Sequence, residues 1–428
     1  MKLLNTDTLE EAREKLWKET ADMELETCEA ELREARGRIS SRDIFSEENI
    51  PPFDRSTMDG YALAAEETYG AGESSPVFLH VCGKVRIQEQ ADMSPGPREA
   101  VQVQTGSMIP KGADAVVMAE YTEEYAPGRI VCYRPVSPGE NVIRAGEDVY
   151  TGERIICRGQ QIGVGETGML AGLGIRRIQV YRKPVVTVIS TGDELAGAGE
   201  PLTAGMIRDI NTDALTAAAE SCGMDVRAQI RIGDEREKIC HAVQEASGNS
   251  DIVLISGGSS KGSRDFTEQV LEKVTGNVFT HGIALRPGKP TILAYDRERK
   301  TVIIGLPGHP MAAVLVFRLV IAHWYRRKTG MDEPLSVPAV MGQNVSSNQG
   351  RETCLPVRLI RSCEAESNPA ETAAEGQDSQ KGQDGYTALP VYAKSGSISA
   401  LAGADAYVMI PRDREGLKKG ERIWAELL

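Results

Sequence analysis

Across residues 184–327 the apolar residues gather in short, nearly continuous runs, at 185–189 (VVTVI), 252–255 (IVLI) and 302–306 (VIIGL), separated by stretches with helical spacing. Runs of this kind are strands covered on both faces, and their alternation with helices predicts a parallel, doubly wound α/β domain. Within it Asn211 or Thr212 is placed to cap a helix through Cys222. A strand over 225–230 leads to Asp234 and a helix through Ala246, and Asp265 or Thr267 opens the next helix. Two further strands flank the turn at 287–290. The apolar run near Met311 to Trp324 is broken by Arg318 and too short to span a bilayer, so a buried helix is expected there.

Outside this segment the pattern changes. Residues 7–36 carry Leu9, Ala12, Leu16, Met23, Leu25 and Leu32 among charged residues, which predicts one or two amphipathic surface helices. From Tyr61 to about Tyr133 the strands are short and cut by Gly and Pro, the texture of a small β-rich domain; residues 134–180 continue in short strands and glycine turns. From Glu333 onward strands return and are expected to close a small barrel. Residues 364–384 contain no large apolar residue and are expected to form a disordered surface insertion. The fold class expected is thus mixed α/β and β, a multidomain chain with a central doubly wound α/β domain, a small β-rich domain and a C-terminal β-barrel. The domain boundaries fall at 1–48 with 134–180, 49–133, 181–330 and 331–428.

Charge narrows the function classes. The 428-residue chain has a formal net charge of −13, which leaves no extended basic surface for nucleic acid or anionic membrane. An anionic ligand then needs locally placed cations. Eight cysteines form no CxxC pair and no signal peptide precedes them, which points to reduced thiols of a cytoplasmic protein. Five scattered histidines offer no zinc spacing.

The chemistry is expected where apolar runs meet Gly- and Pro-rich turns. These are Ser256-Gly257-Gly258-Ser259-Ser260, Pro287-Gly288-Lys289-Pro290 and Pro307-Gly308-His309-Pro310. In open α/β sheets a ligand lies beyond the carboxyl ends of the strands, where glycines let backbone N–H groups approach an anion. Carboxylates Asp59, Glu194, Asp234 and Asp265 and cations Lys261, Arg264, Arg286, Lys289 and Arg351 fall at strand ends and turns. Magnesium with a phosphate wants this mixture, because a hard cation takes one or two carboxylates plus phosphate oxygens while Lys and Arg neutralise the rest. Thr105 and Ser107 around Gly106 are either phosphate donors or turn formers.

Eight stretches in order, PPFDRSTMDGYAL, TGSMIPKGADAVVMAE, GENVIRAGEDV, VVTVISTGDEL, DIVLISGGSSKGSRDF, HGIALRPGKPT, GLPGHPMAAV and KSGSISAL, resemble the molybdopterin molybdenumtransferases, a family that includes the E domain of gephyrin. The resemblance runs from about Arg36 to the C-terminus. It implies an enzyme of the last step of molybdenum cofactor synthesis, which takes adenylylated molybdopterin and molybdate, hydrolyses the adenylate with Mg²⁺ and releases AMP. Carried over by motif, Asp59 and Thr105 act from the small β-rich domain. Glu194, Asp234 and Asp265 shape the Mg²⁺ and phosphate region, with Glu194 and Asp265 as metal ligands. Gly257, Gly258, Ser259, Arg286 and Lys289 hold substrate, and Pro307 and Pro310 fix the pocket floor. Arg351, Ser395 and Ser397 come from the barrel. The resemblance also implies an elongated homodimer with the active site between subunits, and contact with a molybdopterin adenylyltransferase and with molybdoenzymes.

Three positions depart from the family pattern: Arg286 stands for a lysine, His309 for an asparagine and Lys261 for an apolar residue. They bear on molybdate against tungstate, or are tolerated drift. Two rival readings are an adenylylating α/β domain, disfavoured by the additional front half, and a non-catalytic scaffold that binds molybdopterin.

Overall fold

The computed structural model describes residues 6–257, 264–347, 349–361, 385–392, 394 and 396–428. Its contacts divide it into two compact units, one made of Met1–Cys28, Gly37–Ile39 and Tyr181–Leu428, the other of Glu29–Arg36 and Ser40–Val180. The chain begins with α1 (Leu9–Glu19), started by a reciprocal capping box in which Thr8 Oγ1 accepts from Glu11 N and Glu11 Oε2 accepts from Thr8 N. Leu9, Ala12 and Leu16, spaced three and four apart, form its buried stripe. It ends at Thr20, whose hydroxyl donates to Leu16 O at 2.7 Å and accepts from the Trp324 indole at 2.9 Å. The second helix expected before residue 36 shrinks to one turn, Leu32–Ala35, because Thr27–Glu31 is a strand. Glu29 and Glu31, on one face of that strand, both pair with Arg177, at 3.5 and 2.8 Å. Charge at a period of two decided the conformation there.

The second unit is built on one six-stranded sheet. Its strands are β1 (Gly60–Leu63), β2 (Val77–Val85), β3 (Glu99–Val103), β4 (Ala115–Met118), β5 (Thr122–Ala126) and β6 (Arg129–Cys132), in the order β4-β1-β3-β2-β6-β5. β1 lies between two antiparallel neighbours, so close to β4 that a Cβ on Gly60 would lie 2.0 Å from Val117 O. Gly60→Ala is therefore expected to destabilise this unit by roughly 2–3 kcal/mol, seen as a lower midpoint of unfolding in urea; an unchanged midpoint contradicts the packing. Residues 134–180 hold a helix that the glycine-rich sequence hides, α2 (Val164–Gly172). It forms because Glu166 Oε2 accepts from Gly163 N at 3.0 Å, supplying the cap that glycine lacks.

The first unit carries the central sheet. Its elements are β7 (Val185–Thr191), α3 (Asn211–Ser221), β8 (Asp225–Ile232), α4 (Arg236–Asn249), β9 (Ile252–Gly257), α5 (Arg264–Thr275), β10 (Val278–His281), β11 (Leu285–Arg286), β12 (Ile292–Asp296) and β13 (Thr301–Leu306). The sheet order is β8-β7-β9-β13-β12-β10, parallel across the first four strands and antiparallel at β12 and β10. Both faces are covered. Val186, Val188, Ile252, Leu254, Val302 and Ile304 pack into one cluster with α1 and α3, while Ile189, Val253, Ile255 and Ile303 pack into another with α4 and α5. That alternation is why the strands read as continuous apolar runs.

The expected buried helix is present as α6 (Pro310–Val316), a π-helical stretch Phe317–Ala322 and α7 (His323–Thr329), with Pro310 at the first turn and Gly330 in the left-handed conformation at its end. Beyond it β14 (Ser336–Met341), β15 (Glu352–Arg361), β16 (Tyr386–Pro390), β17 (Ala406–Ile410) and β18 (Arg422–Leu427) close as a barrel in the order β15-β16-β14-β18-β17, β17 pairing back onto β15. Strand β11 adds to β15 in parallel. The residues of the expected insertion, 364–384, lie outside the described residues. No helix among the described residues is long and apolar enough to cross a membrane.

Candidate functional site

Parallel pairing of β8, β7, β9 and β13 puts their carboxyl ends along one edge of the central sheet. Of the expected site residues, that edge holds Glu194, Asp234, Gly257, Pro307 and Pro310. At the β8/β7 end stand three carboxylates, Asp193, Glu194 and Asp234. Asp193 Oδ1 accepts from Asp234 N at 3.0 Å, which closes the two loops on each other. Partial burial and the negative charges of Asp193 and Glu194 push the Asp234 carboxyl above the ordinary range. Among the described residues no three acidic, His or Cys side chains converge tightly enough to hold a metal ion unaided.

In the middle of the edge Gly257 ends β9 with φ +144°, and a Cβ there would lie 2.2 Å from both Thr191 O and Thr191 Oγ1. Glycine is required by this approach. Asn211 joins the loops: its Nδ2 donates to Ser256 Oγ and, at 2.9 Å, to Gly308 O. Its Oδ1 is buried with no partner among the described residues, and the residue is only 8% exposed. Neither Asn211 nor Thr212, the alternatives expected from sequence, is thus the helix cap. Asp209 does that work, accepting from Thr212 N at 3.2 Å and from Thr212 Oγ1 at 2.6 Å, and from Ser190 Oγ at 3.2 Å. Pro307 and Pro310 bracket the loop entering α6, and His309 lies against Gly396 of the barrel, 3.6 Å from where a Cβ there would be.

Cations mark the other end. Because β12 is antiparallel to β13, with Ile292 opposite Gly305, the turn preceding β12 returns to the edge where β13 ends. That turn carries Arg286 and Lys289, exposed and half-buried. Gly288, at φ +131°, packs where a Cβ would lie 2.6 Å from Val316 of α6. Arg286 pairs in register with Thr353 of β15, two residues past Arg351. Among the described residues Arg286, Lys289 and Arg351 have no carboxylate partner in an ion pair. Ser397 N donates to Lys394 O in the neighbouring barrel loop. Gly258, Ser259, Lys261 and Ser395 lie outside the described residues. So do the side chains of Arg264 and Asp265, whose backbone opens α5.

Asp59 and Thr105 belong to the second unit, where they meet each other. Asp59 Oδ1 accepts from Thr105 N at 2.7 Å and Thr105 Oγ1 at 3.0 Å, hydrogen bonds that hold its carboxyl below the ordinary range. Three of the recognised stretches are braided here. Ser56 N donates to Ser107 O, Ile109 N to Asp54 O, Thr57 N to Asn141 O and Gly146 N to Pro51 O, while Asp54 Oδ1 accepts from Ala145 N. Ser107, 1% exposed, closes its own turn by donating to Gln104 O and accepting from Gln104 N. Of the alternatives open for Thr105 and Ser107, Ser107 is the turn former.

Sequence reasoning missed Asp193, Asp209 and Asn211. The Asp209-x-x-Thr212 spacing was a cap signal; nothing local signalled Asn211, whose partners are 45 and 97 residues away.

Comparison with known proteins gives the same picture along the chain. Residues 7–174 match the family described as MoeA N-terminal region (domain I and II), residues 187–327 that described as probable molybdopterin binding domain, and residues 377–428 that described as MoeA C-terminal region (domain IV). The chain is 31% identical to the molybdopterin molybdenumtransferase of Bacillus subtilis, covering 93% of this chain and 89% of that one. It is 34% identical to the Haemophilus influenzae protein of the same name, over 80% and 84%. A crystal structure of the molybdopterin biosynthesis MoeA protein of Pyrococcus horikoshii superimposes with a TM-score of 0.79 at 33% identity, covering 99% of each chain.

Proposed function

This chain belongs to the MoeA family, and from that premise we propose that it is a molybdopterin molybdenumtransferase, which inserts molybdenum from molybdate into adenylylated molybdopterin and releases AMP. The observation that carries the reading is the charge order along the sheet edge, with carboxylates at the β8/β7 end and, at the β12 end, cations that have no carboxylate partner among the described residues. An adenylate bound along it would lie with its phosphate between them, and Lys289 and Arg286 would collect the oxyanion that an acidic protein otherwise repels.

The donor set fits Mg²⁺. Carboxylate oxygens are the ligands it takes, and Asp234, held above its ordinary range by partial burial and by Asp193 and Glu194, is a site whose negative charge a cation relieves. Magnesium keeps waters and phosphate oxygens as ligands, so it needs fewer than three protein groups. We assign Glu194, with Asp234 beside it and Asp265 from the start of α5, to this role. When bound, Mg²⁺ would offset charge building up as the adenylate bond breaks. The protein's own residues do the rest. Lys289 and Arg286 hold the oxyanions, Gly257, Gly258 and Ser259 let the backbone approach, and Pro307 and Pro310 fix the loop that Asn211 ties to Ser256. Arg351, Ser395 and Ser397 complete the cationic end from the barrel side. Asp59, kept ionised by Thr105, is assigned to proton transfer during turnover. On this reading the protein works as a cytoplasmic homodimer that exchanges intermediates with an adenylyltransferase and molybdoenzymes.

A carboxyl with a raised pKa opposes folding once it ionises, so the stability it leaves at low pH is lost as pH rises through that pKa. Asp234→Asn is therefore expected to raise the melting temperature slightly at pH 7 without Mg²⁺ and to remove most of the rise that Mg²⁺ gives the wild type. Thermal unfolding with and without Mg²⁺ checks both; an undiminished Mg²⁺ response in the variant contradicts the assignment. The enzyme and scaffold readings separate on product analysis after incubation with adenylylated molybdopterin, Mg²⁺ and molybdate. A transferase yields free AMP and a pterin carrying molybdenum, whereas a scaffold returns the adenylate intact.

A further inference from the structure

Asn211 holds together a part of the strand-end edge that backbone pairing leaves loose. Pairing between β9 and β13 stops at Ser256 and Leu306. Beyond them one chain turns at Gly257 and the other runs through Pro307 and Gly308 into α6, so the ladder no longer sets their separation. The Asn211 amide takes over there. Its Nδ2 donates to Ser256 Oγ on one side and to Gly308 O, at 2.9 Å, on the other. The amide is anchored in turn, because the adjacent Thr212 Oγ1 lies 2.8 Å from Ser190 Oγ near the end of β7 and donates to Asp209. Ser190 pairs in register with Ser256, so the ends of β7, β9 and β13 are joined through two neighbouring side chains of α3.

Packing alone does not explain an asparagine at this position. Its Oδ1 is buried with no partner among the described residues, a cost to folding that an apolar residue would avoid. What the amide supplies, and an apolar residue cannot, is a proton for each of two separate loops. We infer that Asn211 is a positioning residue of the strand-end site, an inference that rests on the transferase reading above. It sets the separation of the loops that follow β9 and β13, and through them the alignment of the adenylate phosphate between the carboxylates and Lys289. Asn211 acts on the loops and not on the substrate. Its loss therefore takes no contact from the bound ground state and registers in the rate at saturation, where a misplacement of about 1 Å costs about 10²-fold.

The test uses the full chain as wild type, Asn211→Ala, Ser256→Ala and the double variant. It reads AMP release at saturating adenylylated molybdopterin with Mg²⁺ and molybdate, and, separately, pterin affinity by fluorescence titration with molybdopterin. In Asn211→Ala the saturated rate should fall at least about tenfold while the pterin dissociation constant stays within about threefold of wild type. Ser256→Ala removes one of the two ties and only a hydroxyl, so it should fold and show a smaller loss of the same kind. Because both act on one loop, the double variant should lose no more than Asn211→Ala alone. The inference is overturned by a rate within about threefold of wild type in Asn211→Ala, by a loss of pterin affinity as large as the loss of rate, or by losses that multiply in the double variant. Should Asn211→Ala not fold, an unchanged rate in Ser256→Ala overturns it. A wild type that releases no AMP overturns the transferase reading itself, which separates that failure from the failure of Asn211 to position the loops.

Discussion

Lys289→Ala is expected to lower the rate of AMP release from adenylylated molybdopterin by about 10²–10³-fold, the scale seen when one preorganised charged donor is removed from a site of charge development. The reason is positional. Lys289 is half-buried on a turn fixed by Gly288 against Val316, at the sheet edge where β13 ends, and no carboxylate among the described residues neutralises it. Arg286 next to it is exposed and cannot replace a point charge three residues further on. Lys289→Arg should recover part of the loss, because charge returns without the geometry. The kinetics separate the roles. A cation that only collects molybdate raises the concentration needed for half-maximal rate, whereas one that stabilises the breaking phosphate bond lowers the rate at saturation. A loss under threefold in both would remove Lys289 from the site.

Asp59→Asn is expected to cost about 10²–10⁴-fold in turnover while leaving substrate binding and folding close to wild type. An asparagine side-chain oxygen can still accept the two hydrogen bonds that Thr105 gives Asp59 Oδ1, so the turn survives and only the charge is lost. A melting temperature within a degree or two of wild type, measured alongside the rate, shows that the loss is chemical. Dependence on pH gives a second reading. Hydrogen bonding holds Asp59 below the ordinary carboxylate range, so it stays ionised as pH falls, while Asp234, held above that range, takes its proton first. The requirement for Mg²⁺ should therefore rise on acidification before the intrinsic rate falls. The opposite order would reverse the two assignments.

How much of this was legible depended on the range over which each residue is determined. The central strands were readable because burial on both faces leaves a continuous apolar run, and the loops after them because glycine and proline mark where such runs end. The antiparallel β12 was not distinguishable from a parallel strand, since it is as fully buried as its parallel neighbours. The strand at Thr27–Glu31 was lost to a helical pattern of apolar residues because its stabilising partner, Arg177, is some 150 residues distant. Helix α2 was hidden by its glycines and revealed by a Glu166 cap. In the candidate site, residues carried by local turns, such as Lys289 and Gly257, could be placed from the sequence because the turn itself is local. Asn211 or Thr212 was read as a cap because the local context, Asp-Ile-Asn-Thr-Asp, suits one; the buried bridge that Asn211 makes from Ser256 to Gly308 exists only in the folded sheet.

The central claim is that the charge-ordered edge of the α/β sheet is a site of molybdenum insertion. Its most direct test is AMP release from adenylylated molybdopterin by the purified protein with Mg²⁺, compared without oxyanion, with molybdate and with tungstate. The account predicts release that depends on Mg²⁺ and is accelerated by an oxyanion, the faster of the two naming the metal. Tight binding of the pterin with no release under any of the three conditions would contradict it and leave a molybdopterin-binding scaffold in its place.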